Sequence, residues 1–85
     1  MSDHPTDFVG DIPTAIRVAV LAAIPDAVVL AEGGNGHWTI TVTSAVFAGK
    51  AMLANHRLVM AAIAPLLAGA APPIHAVDKL TTKTP

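Results

Sequence analysis

Apolar residues recur at two spacings along this chain, and the spacings predict both helices and strands. Beyond Asp11, a plausible N-cap, they recur every three or four residues. Pro25 disfavours helical geometry at the residue before it, so we predict a first helix over 12–24. Strict alternation over 37–43 predicts a strand that turns three side chains towards the core: Trp38, Ile40 and Val42.

The segments on either side of this strand predict a hairpin and a turn. β-Branched residues over 27–32 favour a partner strand, with Gly33–Gly36 as the connecting loop. Ser44 is expected to cap a single helical turn over 45–47. Gly49 is expected to reverse the chain with a positive φ angle, which glycine adopts without steric cost.

A long helix and a last strand complete the predicted elements. The helix begins at Lys50 and is expected to bend or break at Pro65, which removes one backbone hydrogen bond. Its core-facing stripe comprises Leu53, Val59, Met60, Ile63, Leu66 and Leu67. The last strand is predicted over 74–80, followed by a frayed tail over 81–85.

These elements predict an α+β fold. Their order is α-β-β-α-α-β, and helices on one face of a three-stranded sheet would bury its apolar side. Residues 1–10 are polar and without period, so we expect a flexible lead-in followed by a single domain over 11–85.

Composition narrows the possible functions. The 85 residues are 53% hydrophobic and 13% charged, with no cysteine, which excludes disulfides and thiolate metal sites within the chain. The longest apolar run, 58–71, is interrupted by Pro65 and Gly69 and is shorter than the roughly 20 residues that span a bilayer. The N-terminus lacks the pattern of a secretory signal, so we expect a cytoplasmic protein without membrane contact.

Charge is unevenly distributed. Five of the six acids precede residue 33, whereas 33–77 contains no acid and carries Lys50, Arg57 and three histidines. Two fixed positive charges are fewer than the 6–10 phosphate contacts of a strong DNA binder, so nucleic acid is possible but not required. With no thiol and no acid to orient a histidine in this half, we expect no enzymatic activity.

Several short blocks together resemble the BolA family, particularly its short IbaG-type members. They are Gly34–Trp38, Val46–Lys50, Asn55–Val59, Ile74–Val77 and Thr84–Pro85. The likeness extends from about Ile12 to Pro85 and implies a fold like that of a class II KH domain. Between Ala76 and Thr84 the chain carries one residue more than the family pattern, and a bulge at Asp78 would restore the strand alternation.

The resemblance implies a partner of monothiol glutaredoxins in iron–sulfur cluster trafficking or iron homeostasis. A [2Fe–2S] cluster would be shared between the glutaredoxin cysteine, glutathione and this chain, and the isolated chain would bind none. His75 corresponds to the family ligand. The second ligand is left open between His37 and the loop that contains Asn35. His37 also matches a histidine that precedes an aromatic residue in members whose ligand lies elsewhere, and the alternative for it is a structural role. Alone, the chain is expected to be a monomer or a weak homodimer.

A second reading is a nucleic-acid-binding regulator of stress response and morphology. In KH-like or helix-turn-helix modules, a turn and the helix that follows it contact phosphates. In this chain the corresponding turn and helix would present Gly49, Lys50, His56 and Arg57. The same residues are also candidates for contacts with a protein partner. Judged only by its position on the apolar side of the helix, His56 is better interpreted as a packing residue.

Overall fold

The computed structural model of the chain describes residues 11–85, so the predicted lead-in over 1–10 lies outside the described residues. Two α-helices, three strands and one short 3-10 helix follow one another between residues 12 and 83. In chain order they are α1 (Ile12–Ala23), β1 (Val28–Gly34), β2 (His37–Thr43), the 3-10 helix (Ala45–Phe47), α2 (Met52–Leu67) and β3 (Ala76–Lys83).

The three strands form one mixed sheet in the order β1-β2-β3, with β2 in the centre. β2 is antiparallel to β1 and parallel to β3. α1 contacts α2 and β1, and α2 contacts β3. This arrangement confirms the predicted α+β fold. Within 11–85, no helix combines the length and the apolar character that crossing a membrane requires.

The core lies between the helices and the inner face of the sheet. The inward alternation predicted for β2 is confirmed, because Trp38, Ile40 and Val42 are buried while His37 is exposed. Fully burying one such side chain stabilises the fold by roughly 1.5–3 kcal/mol. The other buried apolar residues are Ile16 and Val20 of α1, Ile24 directly after it, Phe47 of the 3-10 helix, Val59 and Ile63 of α2, and Ile74.

The hairpin between β1 and β2 is tighter than predicted. The loop was expected over Gly33–Gly36, but Gly33 and Gly34 pair with Trp38 and His37 and belong to β1. Only Asn35 and Gly36 remain in the turn, with φ angles of 54° and 81°. Positive φ at both central residues defines the hairpin turn for which Asn-Gly is the preferred sequence. The Asn-Gly pair therefore decides where β1 ends.

α2 also differs from the prediction at its start. The helix begins at Met52, because Ala51 is extended, with ψ of 147°. Leu53, expected on the buried stripe, is 60% exposed. The buried face begins two residues later with Asn55, followed by Val59 and Ile63, each spaced four residues apart.

Pro65 does not end α2. The helix continues through Pro65 to Leu67, so the alternative of a break before the proline is wrong, while a bend remains a prediction. Pro65 lies in the last turn, and its missing N–H removes one hydrogen bond to the carbonyl four residues earlier, while only Leu66 and Leu67 follow it in the helix. The carbonyl of Leu66 accepts a hydrogen bond from the Ile74 N–H at 3.0 Å, which fixes the loop after the helix.

β3 lies further along the chain than the predicted 74–80. Ile74 is fully buried but precedes the strand, and 81–83 pair with Thr41–Thr43 instead of forming part of a frayed tail. Trp38 pairs with Val77 and Thr39 with Lys79. Asp78 is left without a partner across the sheet, which confirms the predicted bulge at this residue.

The other end of β2 is held by a small polar network. The Ser44 side chain is fully buried, and its oxygen accepts from the Val46 N–H, which confirms the predicted cap. The Ser44 hydroxyl donates to Asp26 at 2.6 Å, and the Ala45 N–H donates to the same carboxylate at 3.0 Å. These two donors hold the pKa of Asp26 below its ordinary value.

We predict that Asp26→Asn destabilises the fold at neutral pH and that its deficit disappears in acid. Because the pKa of Asp26 is lowered in the folded state, its charge stabilises the fold above the unfolded-state pKa. That stabilisation is lost as the pH falls through the folded-state pKa. Urea unfolding of both proteins at about pH 7 and at successively lower pH measures the difference. A deficit that persists at the lowest pH would contradict this role of the charge.

Candidate functional site

His75 is positioned by backbone hydrogen bonds between the α2–β3 loop and the hairpin turn. The N–H groups of His75 and Ala76 both donate to the Gly36 carbonyl, at 2.7 and 3.0 Å. The residue before it, Ile74, is buried, and its N–H donates a hydrogen bond to the Leu66 carbonyl. His75 is therefore fixed at the turn between β1 and β2, and it is exposed.

The imidazole of His75 lies directly against Gly36. A Cβ atom added to Gly36 would lie 2.6 Å from Cγ of His75 and 2.7 Å from its Nδ1. Such distances are well below van der Waals contact, so the ring occupies space that any side chain at position 36 would need. Gly36 thus supplies both the φ angle of the turn and the room for the ring.

His37 stands next to this contact and is held by Asp78. The first residue of β2, His37 is paired with Ala76, the neighbour of His75. Its Nδ1 lies 3.1 Å from Oδ1 of Asp78, and the two side chains are 58% and 55% exposed. We call the group His75, Gly36, His37 and Asp78 the histidine corner. It brings the two sequence-predicted ligands to one end of the sheet.

The histidine corner offers nitrogen donors but is not a complete metal site by itself. No group of three or more histidines, cysteines or acids within 11–85 is arranged to hold a metal ion. Two exposed imidazoles can supply two ligands, and neutral imidazole is an established ligand of iron in iron–sulfur centres. The remaining ligands of such a centre would have to be sulfur from another molecule.

The other predicted site residues form a second surface. Gly49 has a φ of 72°, which confirms the predicted reversal, and Lys50 and Arg57 are exposed after it, whereas His56 is half-buried. Three exposed apolar residues are close to the two bases in the sequence: Val46, Met52 and Leu53. We call Val46, Lys50, Met52, Leu53 and Arg57 the basic–apolar surface.

The structure separates this surface from the histidine corner. His37 begins β2, and the turn that carries Lys50 follows shortly after its end at Thr43. Six residue steps of a strand span about 20 Å. The histidine corner and the turn that carries Lys50 therefore lie towards opposite ends of the central strand.

Two contributors were not singled out from the sequence as functional. One is Asp78, whose contact with His37 joins residues 41 positions apart. The other is Asn55, whose Nδ2 donates to the Phe47 carbonyl at 3.3 Å inside the protein. This bond ties α2 to the turn that presents Lys50. Asn55 could have been identified from the sequence, because a polar residue at a buried position of a helix normally needs a hydrogen-bond partner.

Comparisons with known proteins agree with this architecture. A family model described as BolA-like protein matches residues 19–85. The solved structure of BolA1 from Arabidopsis thaliana superimposes with a TM-score of 0.73 at 19% identity, covering 91% of this chain and 95% of that one. BolA1 from Mus musculus gives 0.70 at 29% identity, covering 100% of this chain and 74% of that one.

A third structure, that of the XC975 protein, is 37% identical with a TM-score of 0.62, covering 94% of this chain and 96% of that one. No curated protein matches this chain. Since the family model spans most of the chain, the chain belongs to the BolA family. This is not a family of enzymes, and the shared architecture is the α+β domain described above.

We predict that Gly36→Ala disturbs the histidine corner, whereas Gly34→Ala does not. At position 36 the new methyl group meets the His75 ring and must adopt a φ of 81°, a left-handed conformation that costs roughly 1–2 kcal/mol. At position 34 nothing lies within 4 Å. Urea unfolding and the NMR shifts of the His75 ring measure both effects. Equal behaviour of the two variants would contradict the contact.

Proposed function

We propose that this BolA-family chain is a non-enzymatic adaptor that binds a bridging [2Fe–2S] cluster together with a monothiol glutaredoxin. In this role it would receive or pass on the cluster in iron–sulfur assembly, trafficking or iron homeostasis, with the cytoplasm as the expected location. The cluster is cargo, shared with the glutaredoxin cysteine and glutathione.

One observation carries the proposal: His75 is exposed and held by its backbone at the β1–β2 turn, beside His37. A ligand must be accessible to a partner, and its backbone must be fixed if the metal geometry is to be reproducible. Burial of His75 inside the core would have excluded the role. The corner meets both requirements without moving the backbone.

The chemistry of the donors fits the cluster. The whole chain contains no cysteine, so it cannot supply the thiolates that hold an iron–sulfur cluster. A partner that brings thiolates leaves one side of the cluster for imidazole nitrogen. Histidine ligation raises the reduction potential of such a cluster and makes its binding pH-sensitive, because only neutral imidazole coordinates metal.

The basic–apolar surface supports a protein partner. It combines three exposed apolar side chains with the exposed Lys50 and Arg57, whereas a surface for nucleic acid alone would need more positive charge. A partner domain of about 100 residues has a radius of gyration near 13 Å. One such domain is large enough to contact this surface and the histidine corner together.

We predict that the purified chain changes the visible absorption and circular dichroism of a monothiol glutaredoxin loaded with its cluster and glutathione. His75→Ala should weaken cluster binding in the complex at least about tenfold, since even a residue that only orients a metal ligand is worth 10–100-fold. Titration of the holo-glutaredoxin followed by its CD spectrum measures the affinity.

Lys83→Ala is the matched control for this titration. It removes an exposed side chain from the far end of β3 and leaves the histidine corner intact. The adaptor function would be refuted by wild-type protein that leaves the glutaredoxin spectrum unchanged. Equal affinities of wild type and His75→Ala would refute the role of His75.

A nucleic-acid-binding regulator is the second candidate. It is favoured by the exposed Lys50 and Arg57, which lie beside the Gly49 turn in a part of the chain without acids. Two phosphate contacts give weak binding that is sensitive to salt. Because this surface and the histidine corner consist of different residues, the two functions do not compete for the same side chains.

For this second candidate we predict that DNA affinity falls with salt with a slope of about −2 on logarithmic axes, as expected for two phosphate contacts. Lys50→Ala should reduce the slope by about one, whereas Lys79→Ala, in β3, should leave it unchanged. Fluorescence anisotropy at several salt concentrations measures both. Absent or salt-insensitive binding would eliminate the regulator.

A further inference from the structure

The bulge in β3 places a carboxylate beside the second candidate ligand. Asp78 is the residue left without a partner between the pairs Trp38–Val77 and Thr39–Lys79. It lies two residues beyond Ala76, the partner of His37, and its Oδ1 is 3.1 Å from the Nδ1 of His37. The extra residue of this chain therefore brings a charged group to the histidine corner.

We infer that Asp78 is a positioning residue that makes His37, through its Nε2 atom, the second nitrogen ligand of the cluster. This inference rests on the proposed function and deepens it, because it selects one of the two candidates for the second ligand and one nitrogen of its ring.

The hydrogen bond to Asp78 fixes the tautomer of His37. An ionised carboxylate only accepts hydrogen bonds, so Nδ1 of His37 must carry the hydrogen. In the neutral ring Nε2 then bears the free lone pair, which is the atom that binds metal. Histidine ligands commonly donate their other N–H to a carboxylate in this way, and the bond sets ring orientation and raises ligand basicity.

The competing candidate, Asn35, has no comparable support. It is a central residue of the turn, with a φ of 54°, and its neutral amide oxygen is a hard donor. Hard oxygen donors suit magnesium and calcium, whereas imidazole suits iron. The contact with Asp78 and the donor chemistry thus both select His37.

The contact contributes little to folding. Both side chains are more than half exposed, and solvent-exposed ion pairs are worth little because water screens the charges. If the role of Asp78 were purely structural, removing its side chain would lower the stability measured by unfolding. If its role is to position His37, removing it changes the tautomer of the His37 ring instead. The two roles are distinguishable by measurement on the isolated chain.

The first experiment uses long-range 1H–15N NMR of the histidine rings in the full chain at about pH 8.5, above the ordinary titration range of imidazole. We expect the Nδ1–H tautomer for His37, a shift towards the Nε2–H tautomer in Asp78→Ala, and an intermediate result in Asp78→Asn, which keeps an acceptor. Glu32→Ala, which removes an equal charge from β1, should leave the tautomer unchanged. The Nε2–H tautomer in the wild type, or no difference between wild type and Asp78→Ala, would overturn the inference.

The second experiment repeats the titration with cluster-loaded glutaredoxin. Asp78→Ala should weaken cluster binding 10–100-fold, and His37→Ala at least as much, with unchanged unfolding midpoints for Asp78→Ala. If His75→Ala weakens binding while His37→Ala and Asp78→Ala do not, the inference fails and the adaptor function stands. If the wild type itself leaves the spectrum unchanged, the adaptor function fails, while the NMR result still decides whether Asp78 sets the tautomer.

Discussion

The hydrogen bonds of β2 to strands on both sides are the constraint on which the rest of this domain depends. They hold Trp38, Ile40 and Val42 against the helices, and they fix what lies at each end of the strand. At its start, His37 is brought beside His75 through the pairing with Ala76. Beyond its end, buried Ser44 joins Asp26 and begins the turn that presents Lys50. The histidine corner and the turn that carries Lys50 are thus placed by the two ends of one strand.

Much of the fold was predictable because local signals were strong. The alternation over 37–43, the Ser44 cap and the Gly49 reversal depend on neighbouring residues only, and all three are confirmed. The errors occurred where distant pairing decides the outcome. Residues 81–83 look polar and terminal, yet they form strand because Thr41–Thr43 offer them partners. Leu53 has the spacing of a buried residue, but it lies in the first turn of α2, ahead of the buried face.

The residues of the candidate site were named from the sequence, whereas their geometry came only from the structure. Composition and spacing alone did not distinguish His75 from any other polar side chain, and the family resemblance selected it. That resemblance could not show that the ring packs on Gly36, or that the turn carrying Lys50 follows the opposite end of β2. The link between His37 and Asp78 depends on a parallel pairing across 41 residues, which no local pattern contains. The extra residue was visible in the sequence, whereas the contact it makes was not.

The position of the bulge also bears on how this domain tolerates insertion. β3 is an edge strand, so an additional residue there interrupts pairing with a single neighbour. The same insertion in β2 would disrupt pairing on both sides and turn Ile40 and Val42 away from the interior. A bulged edge is also a poor template for strands of other molecules, which protects this side of the sheet from intermolecular association. One additional residue, which would be damaging in β2, therefore leaves the central strand intact when it lies in β3. It also makes the outer edge of the sheet less able to pair with strands of other molecules.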